Sequence, residues 1–402
     1  MWFSGTKKRT IYLDYASATP ILPEAARVVR DAMHLFGNPG AIHADGVAAS
    51  RSLENSRERI AAELAVKPRE IIFTSGGTEG NNIAILGTAR KLALSGVDLS
   101  TTHWVVSSIE HPSVLEAFGE IERLGGVVTH IDPDVQGVIS VETVRAALKA
   151  QTVLISIGWA NSETGVVQPL RDIARAVHEE SASIRIHSDA GQAPLYLSPQ
   201  VHTLGVDMMS FDSGKFYGPR GVGALFISNR TELAPVILGG GQERGLRAGT
   251  ENVALAAGFA ESFARIASER ESESHRLCAL RNQLFFALKK ALPSLVVNGE
   301  AKRMLPHILN VSVPHMQSEY VTLSLDAKGI SISTKSACRE GKNRRSHVVA
   351  MLAAAAREAE KGESADWRAE NTLRFSLGRD TRAPDLERVV RELMQVITQN
   401  KT

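Results

Sequence analysis

Cys338 lies in the run "ISISTKSACREGKNRR" (330–345), close to Lys335, Arg339, Lys342, Arg344 and Arg345. A thiol attacks as its thiolate, and nearby cations lower its pKa from a free value of about 8.5. The run therefore has two readings: a solvated basic stretch with an incidental cysteine, or a thiol set up to react.

Four other stretches carry residue types suited to chemistry. "TSGGTEGNN" (74–82) sets Gly77 and Thr78 at the start of a helical pattern. Free N–H groups and the helix dipole favour an anion there, although Thr78 also reads as an ordinary N-cap. The motif has no Walker lysine and is not a P-loop. In "SIEHPSV" (108–114), His111 is either a satisfied loop histidine or a group that lies against a planar ligand and moves protons. "HSDAGQ" (187–192) ends an apolar run on Asp189, a carboxylate that needs a partner if buried. "FDSGKFYGPRGVG" (211–223) places Lys215 in a glycine-rich turn, pointing to solvent or, if desolvated, able to form a Schiff base. An aspartate for a pyridinium nitrogen, a lysine for an aldehyde and a helix end for a phosphate together make the set that pyridoxal phosphate needs.

The elements that must position these residues are readable from periodicity. Short β-branched runs occur at 71–75, 104–108, 127–131, 153–158, 184–189, 206–211 and 222–227. Runs this short and apolar suit strands buried on both faces, and the amphipathic stretches between them read as crossover helices. The expectation is an α/β fold with a seven-stranded, mostly parallel sheet, whose ligands collect beyond the carboxyl ends of the strands. After Gly258 the composition shifts toward a long helix, short strands near 308–313, 330–334 and 372–378, and a last helix from about Ala383. The expected organisation is an N-terminal segment (1–25) joining a small domain, a large domain (26–258), and a small α+β domain (259–402) carrying a cysteine loop at 331–346.

The chain has 402 residues, 43% hydrophobic and 22% charged, enough for a sizeable core. A net charge of +2 argues against nucleic acid or membrane as the main partner. Two cysteines, Cys278 and Cys338, make no disulfide framework, and "MWFSGTKKRT" lacks the apolar run of a secretory signal. A soluble cytoplasmic protein is expected, and no His, Cys and carboxylate spacing suggests a metal.

Taken in order, "IYLDYASATP", "FGNPGAIH", "TSGGTE", "EHPSV", "SETGVVQP", "SDAGQ", "GKFYGPRGVGAL", "GGGQERGLRAGTENV", "STKSAC" and "TLRFSLGRD" resemble the cysteine desulfurases. These form a branch of the class V aminotransferases among fold-type I pyridoxal phosphate enzymes. The resemblance implies that Lys215 holds the cofactor, Asp189 partners its ring nitrogen, Gln192 its ring hydroxyl and His111 its ring face. Gly77 and Thr78 match phosphate contacts. Thr250 matches a phosphate contact supplied by the second subunit, so a homodimer is implied. Asn38, Asn161 and Arg374 match the region that receives the substrate, with a guanidinium suited to a carboxylate. Cys338 matches the nucleophile that takes sulfur from L-cysteine, leaving alanine. The spacing from Cys338 to "HVV" (347–349) resembles the long-loop members, which pass sulfur to an acceptor such as an iron–sulfur scaffold or a sulfur carrier.

Two departures from the family pattern stand out. Ser162 takes the place of an asparagine. Asp212 and Gly214 replace a serine and a phosphate-binding histidine, so a weaker phosphate grip is expected, with Ser213 as the candidate cofactor-binding group to compensate. A selenocysteine lyase, a transaminase-like activity and a scaffold without turnover are the alternatives.

Overall fold

The computed structural model describes residues 10–334, 345–360 and 367–399. Its strands in chain order are β1 (Ile11–Tyr12), β2 (Ile71–Thr74), β3 (His103–Ser107), β4 (Val127–Ile131), β5 (Thr152–Ser156) and β6 (Arg185–Asp189). They continue with β7 (Met208–Asp212), β8 (Gly223–Ile227), β9 (Val296–Val297), β10 (Ile308–Ser312), β11 (Ile330–Ser331) and β12 (Thr372–Ser376).

All seven apolar runs are strands of one sheet, in the order β2-β8-β7-β6-β5-β3-β4. The pairs β3–β4, β3–β5, β5–β6 and β6–β7 are parallel, while β8 lies antiparallel between β7 and β2. Two reversals restore direction, so β2 runs with β3, β5, β6 and β7. The central strands are buried almost throughout, as their lack of alternation requires, whereas edge strand β4 exposes Val127.

The helix Val253–Ala291 is capped by Asn252, whose side chain accepts from Leu255 N–H at 3.1 Å. Its Phe259 and Phe263 pack on Phe216 with ring centroids 6.2 and 5.4 Å apart. Each such buried ring contributes on the order of 2–3 kcal/mol. A Cβ at Gly258 would sit 2.3 Å from Val29 Cγ2, so glycine is what lets the helix Pro23–Ala32 approach this closely. The helix passes through Gly258 unbroken, so the expected boundary at 258/259 falls inside it.

Beyond it, β9, β10 and β12 form an antiparallel sheet, order β12-β10-β9. Separately, β1 pairs in parallel with β11, and Asp14 bridges to Ser376. The N-terminal strand is thus knitted to elements near the other end of the sequence.

Candidate active site

The loops beyond the carboxyl ends of β2, β3, β5, β6 and β7 enclose a cavity of about 160 Å³. Each strand end supplies polar groups to its lining: Gly77 and Thr78, Glu110 and His111, Asn161 and Ser162, Asp189 and Gln192, and Asp212 and Lys215. Ligands gather at such strand ends because helix N-termini and turn N–H groups converge there.

Asp189 is held on both oxygens. Oδ1 accepts from Gly191 N–H at 2.9 Å, and Oδ2 accepts from Asn81 Nδ2 at 2.7 Å. The same Asn81 nitrogen donates to Ser113 Oγ at 2.8 Å, and Ser113 Oγ lies 2.8 Å from His111 Nδ1. His111 caps the helix Pro112–Arg123, with Nδ1 accepting from Ser113 N–H at 3.2 Å. That lone pair leaves the proton of the neutral ring on Nε2.

Gln192 is buried and fixed at both ends of its amide. Nε2 donates to Ala16 O at 2.9 Å, and Oε1 lies 3.2 Å from His307 Nε2. Burial, with Arg374 and Arg281 nearby, pushes His307 down to about 3, so the ring is neutral and donates to Gln192. Lys215 Nζ donates to the carbonyls of Ala16 and Ser17. The segment after β1 therefore supplies acceptors to two cavity residues.

Glu110 is buried and accepts from Gly158 N–H at 2.9 Å. Burial, opposed by that bond and reinforced by the charge of Asp189, pushes its carboxyl up to about 8. Its backbone oxygen meets His347 Nε2 at 3.1 Å. Ser346 donates to Glu163 Oε2 at 2.5 Å. At the other end of the same segment, Ser333 and Arg374 exchange backbone bonds of 3.2 and 2.7 Å. Both ends of the segment carrying Cys338 are thus bonded beside the cavity, while Cys338, Lys335, Arg339, Lys342 and Arg344 lie outside the described residues.

Other expected site residues are bonded locally or stand elsewhere. Arg374 is buried on β12 and bonded to Asp14 Oδ1 at 2.7 Å, Ser17 Oγ and Ser162 O, so its guanidinium is held at the rim rather than among the lining groups. Asn161 spends its side chain locally, donating to Ile109 O and accepting from the N–H groups of Glu163 and Thr164. Ser213 does not line the cavity: a Cβ at Gly218 would meet its Oγ at 2.1 Å and Ser262 Oγ at 2.6 Å, so the hydroxyl is turned toward that glycine. Exposed Asn38 lines a separate cavity of about 660 Å³, and exposed Thr250 lines a third beside Arg247.

The Aminotransferase class-V family model matches residues 11–389. The chain belongs to the class-V aminotransferase family. It is 36% identical over 396 residues to the cysteine desulfurase IscS of Dictyoglomus turgidum, covering 98% of this chain and 96% of that one. Among solved structures, a NifS-like protein matches with a TM-score of 0.88 at 27% identity, covering 97% of this chain and 100% of the other. The structure titled SspA in complex with cysteine matches with a TM-score of 0.76 at 33% identity, covering 92% and 99%.

The donor set fits the cofactor of this aminotransferase family at the ring end. An amine, a carboxylate, an imidazole and an amide from three strand ends face one cavity, matching an aldehyde, a pyridine nitrogen, a flat ring and a ring hydroxyl. Sequence reasoning missed Glu110, Asn81 and the carbonyls of Ala16 and Ser17. Glu110 and Asn81 stand within "SIEHPSV" and "TSGGTEGNN", next to residues that were singled out. The Ala16 and Ser17 carbonyls carry no side-chain signal.

Proposed function

We infer that this class-V aminotransferase family member is a pyridoxal phosphate-dependent L-cysteine desulfurase, releasing alanine and leaving a persulfide on Cys338. The observation that carries the reading is the convergence of Lys215, Asp189, His111 and Gln192 on one cavity, with both ends of the Cys338 segment bonded beside it. Lys215, Asp189, Gln192 and His111 would hold the cofactor, with Gly77 and Thr78 at its phosphate end. When bound, pyridoxal phosphate supplies an electron sink for charge at the substrate Cα.

The chain's own groups do the rest. The Lys215 amine, held by backbone carbonyls, would carry the proton at the substrate Cα. Asn81 holds Asp189 in place as an acceptor. His111, with its proton on Nε2, would serve proton transfer near the substrate. Ser162, in the lining, would bond the ring hydroxyl or the substrate, and Arg374 would receive the amino acid at the rim. Cys338, as thiolate among cations, would take the sulfur. We further propose a homodimer with Thr250 completing the partner's phosphate region, a sulfur-acceptor protein as the next recipient, and a cytoplasmic setting. The two lobes, 26–258 and 259–402 with 1–25 joined to the second, are proposed as the working units. No helix among the described residues is long and apolar enough to cross a membrane.

Incubation with L-cysteine, assaying alanine and Cys338 persulfide, tests the assignment. Wild type should yield both, Lys215→Ala neither, and Cys338→Ser no persulfide. Full sulfur release by Cys338→Ser would overturn it.

A further inference from the structure

Asp212 sits at the end of β7 with its carboxylate divided between two backbone donors. Oδ1 accepts from Gly214 N–H at 2.8 Å, and Oδ2 accepts from Gly77 N–H at 3.4 Å. Gly77 opens the eighteen-residue helix Gly77–Leu94, whose N-cap, Gly76, has no side chain to offer. The carboxylate therefore takes a place that the helix dipole reserves for an anion.

Three glycines close around it. A Cβ at Gly76 would lie 3.4 Å from Asp212 Oδ2, one at Gly77 would lie 3.3 Å from Asp212 Cβ, and one at Gly214 would lie 3.2 Å from Oδ1. The Gly214 position is also 3.2 Å from Arg220 Cγ, so a side chain there would press on both neighbours. The two departures at 212 and 214 are thus one feature: the carboxylate caps the turn, and the glycine makes room for it. A second carboxylate, Glu79, already occupies the same helix turn, accepting from Ser75 N–H at 2.7 Å and paired with Arg247 at 2.8 Å.

We propose that Asp212 is a resident anion at the head of the helix Gly77–Leu94, and that a phosphate group binds there only by displacing it. The proposal rests on reading the cavity as the pyridoxal phosphate site. Its consequence is specific to the phosphate end: the site gains less from a phosphorylated ligand than a cup with a neutral side chain at 212 would.

The test compares wild type, Asp212→Ser and Asp212→Asn as full-length chains stripped of cofactor. Binding of pyridoxal phosphate, unphosphorylated pyridoxal and inorganic phosphate is measured by calorimetry. Both variants should bind pyridoxal phosphate roughly tenfold or more tightly than wild type, the scale of removing one like charge near a partly exposed anion. Pyridoxal affinity should stay within about twofold, because no phosphate is involved. Inorganic phosphate should compete with pyridoxal phosphate more strongly in the variants. Asp212→Asn keeps the shape of the cap and serves if the serine variant folds poorly. Equal pyridoxal phosphate affinity in all three chains overturns the proposal, as does weaker binding in the variants or an equal gain for pyridoxal. Binding of neither vitamer by any chain overturns the cofactor-site reading as well, which separates the two failures.

Discussion

Asn81 donates to Asp189 Oδ2 across 2.7 Å, and its other amide hydrogen goes to Ser113 Oγ, which touches His111 Nδ1. A fully buried amide thereby sets the orientation of a carboxylate and an imidazole from different strand ends. Turning the amide over would place its oxygen against the carboxylate, so the donor arrangement is the one that fits.

Asn81→Ala should weaken cofactor binding by about ten- to a hundredfold, since a hydrogen bond to a charged group is worth about 1.5–3 kcal/mol. It should also shift the His111 ring signals through the Ser113 hydroxyl, visible in nitrogen-15 spectra. Unchanged imidazole signals together with unchanged affinity would show that Asn81 merely fills space.

Glu110 carries a pH signature. Its folded pKa, about 8, lies above the ordinary carboxylate value of 4.5. The folded state therefore binds more protons than the unfolded chain between those values, and stability is lost as pH rises from about 4.5 toward 8. Glu110→Gln, neutral throughout, should be more stable than wild type near pH 8 by on the order of a few kcal/mol, relative to their difference at pH 4.5. Urea denaturation at both pH values measures this, and parallel profiles would refute it.

Ser346 and Glu163 anchor the return of the cysteine segment. Ser346→Ala leaves the buried Glu163 short of a donor and should cost about 1–3 kcal/mol in urea denaturation. Sulfur release should slow while affinity for the cofactor is kept, because the bond lies beside the cavity rather than in its lining.

The guanidinium of Arg57 grips Glu243 with bonds of 2.7 and 2.8 Å, and Glu243 also accepts from Phe73 N–H at 2.8 Å. This ties the stretch leading to Thr250 onto β2. Arg57→Ala strands a buried carboxylate and should cost about 3–5 kcal/mol, with Arg57→Ala/Glu243→Gln recovering part of it. Denaturation midpoints of the two variants decide the matter.

The seven strands of the main sheet were legible because short, uninterrupted apolar runs have few other ways to bury themselves. Their order was not: nothing in "VGALFI" says that β8 inserts antiparallel between β7 and β2. Lys215, Asp189 and His111 stand out by residue type near strand ends, whereas Gln192 enters only through the family resemblance. Glu110 did not, since a carboxylate in a loop reads as solvated until folding buries it. The departures at 212 and 214 were visible one by one, but the cradle joining them needs Gly76 and Gly77 from a different strand end. The direction of the Ser213 hydroxyl was illegible for the opposite reason: its place in the motif says nothing of the Gly218 contact that it faces.

The pairing of β1 with β11 joins residues about 320 positions apart. At ribosomal speeds of roughly 5–20 residues per second, Ile11 emerges roughly 15 to 60 seconds before Ile330 exists. Through that interval the carbonyls of Ala16 and Ser17 have no β1–β11 anchor to hold them toward Lys215, so the reactive amine is framed only when synthesis is nearly over. Nascent chains stalled before Ile330 should therefore carry an assembled main sheet around a lysine whose surroundings are still unfinished.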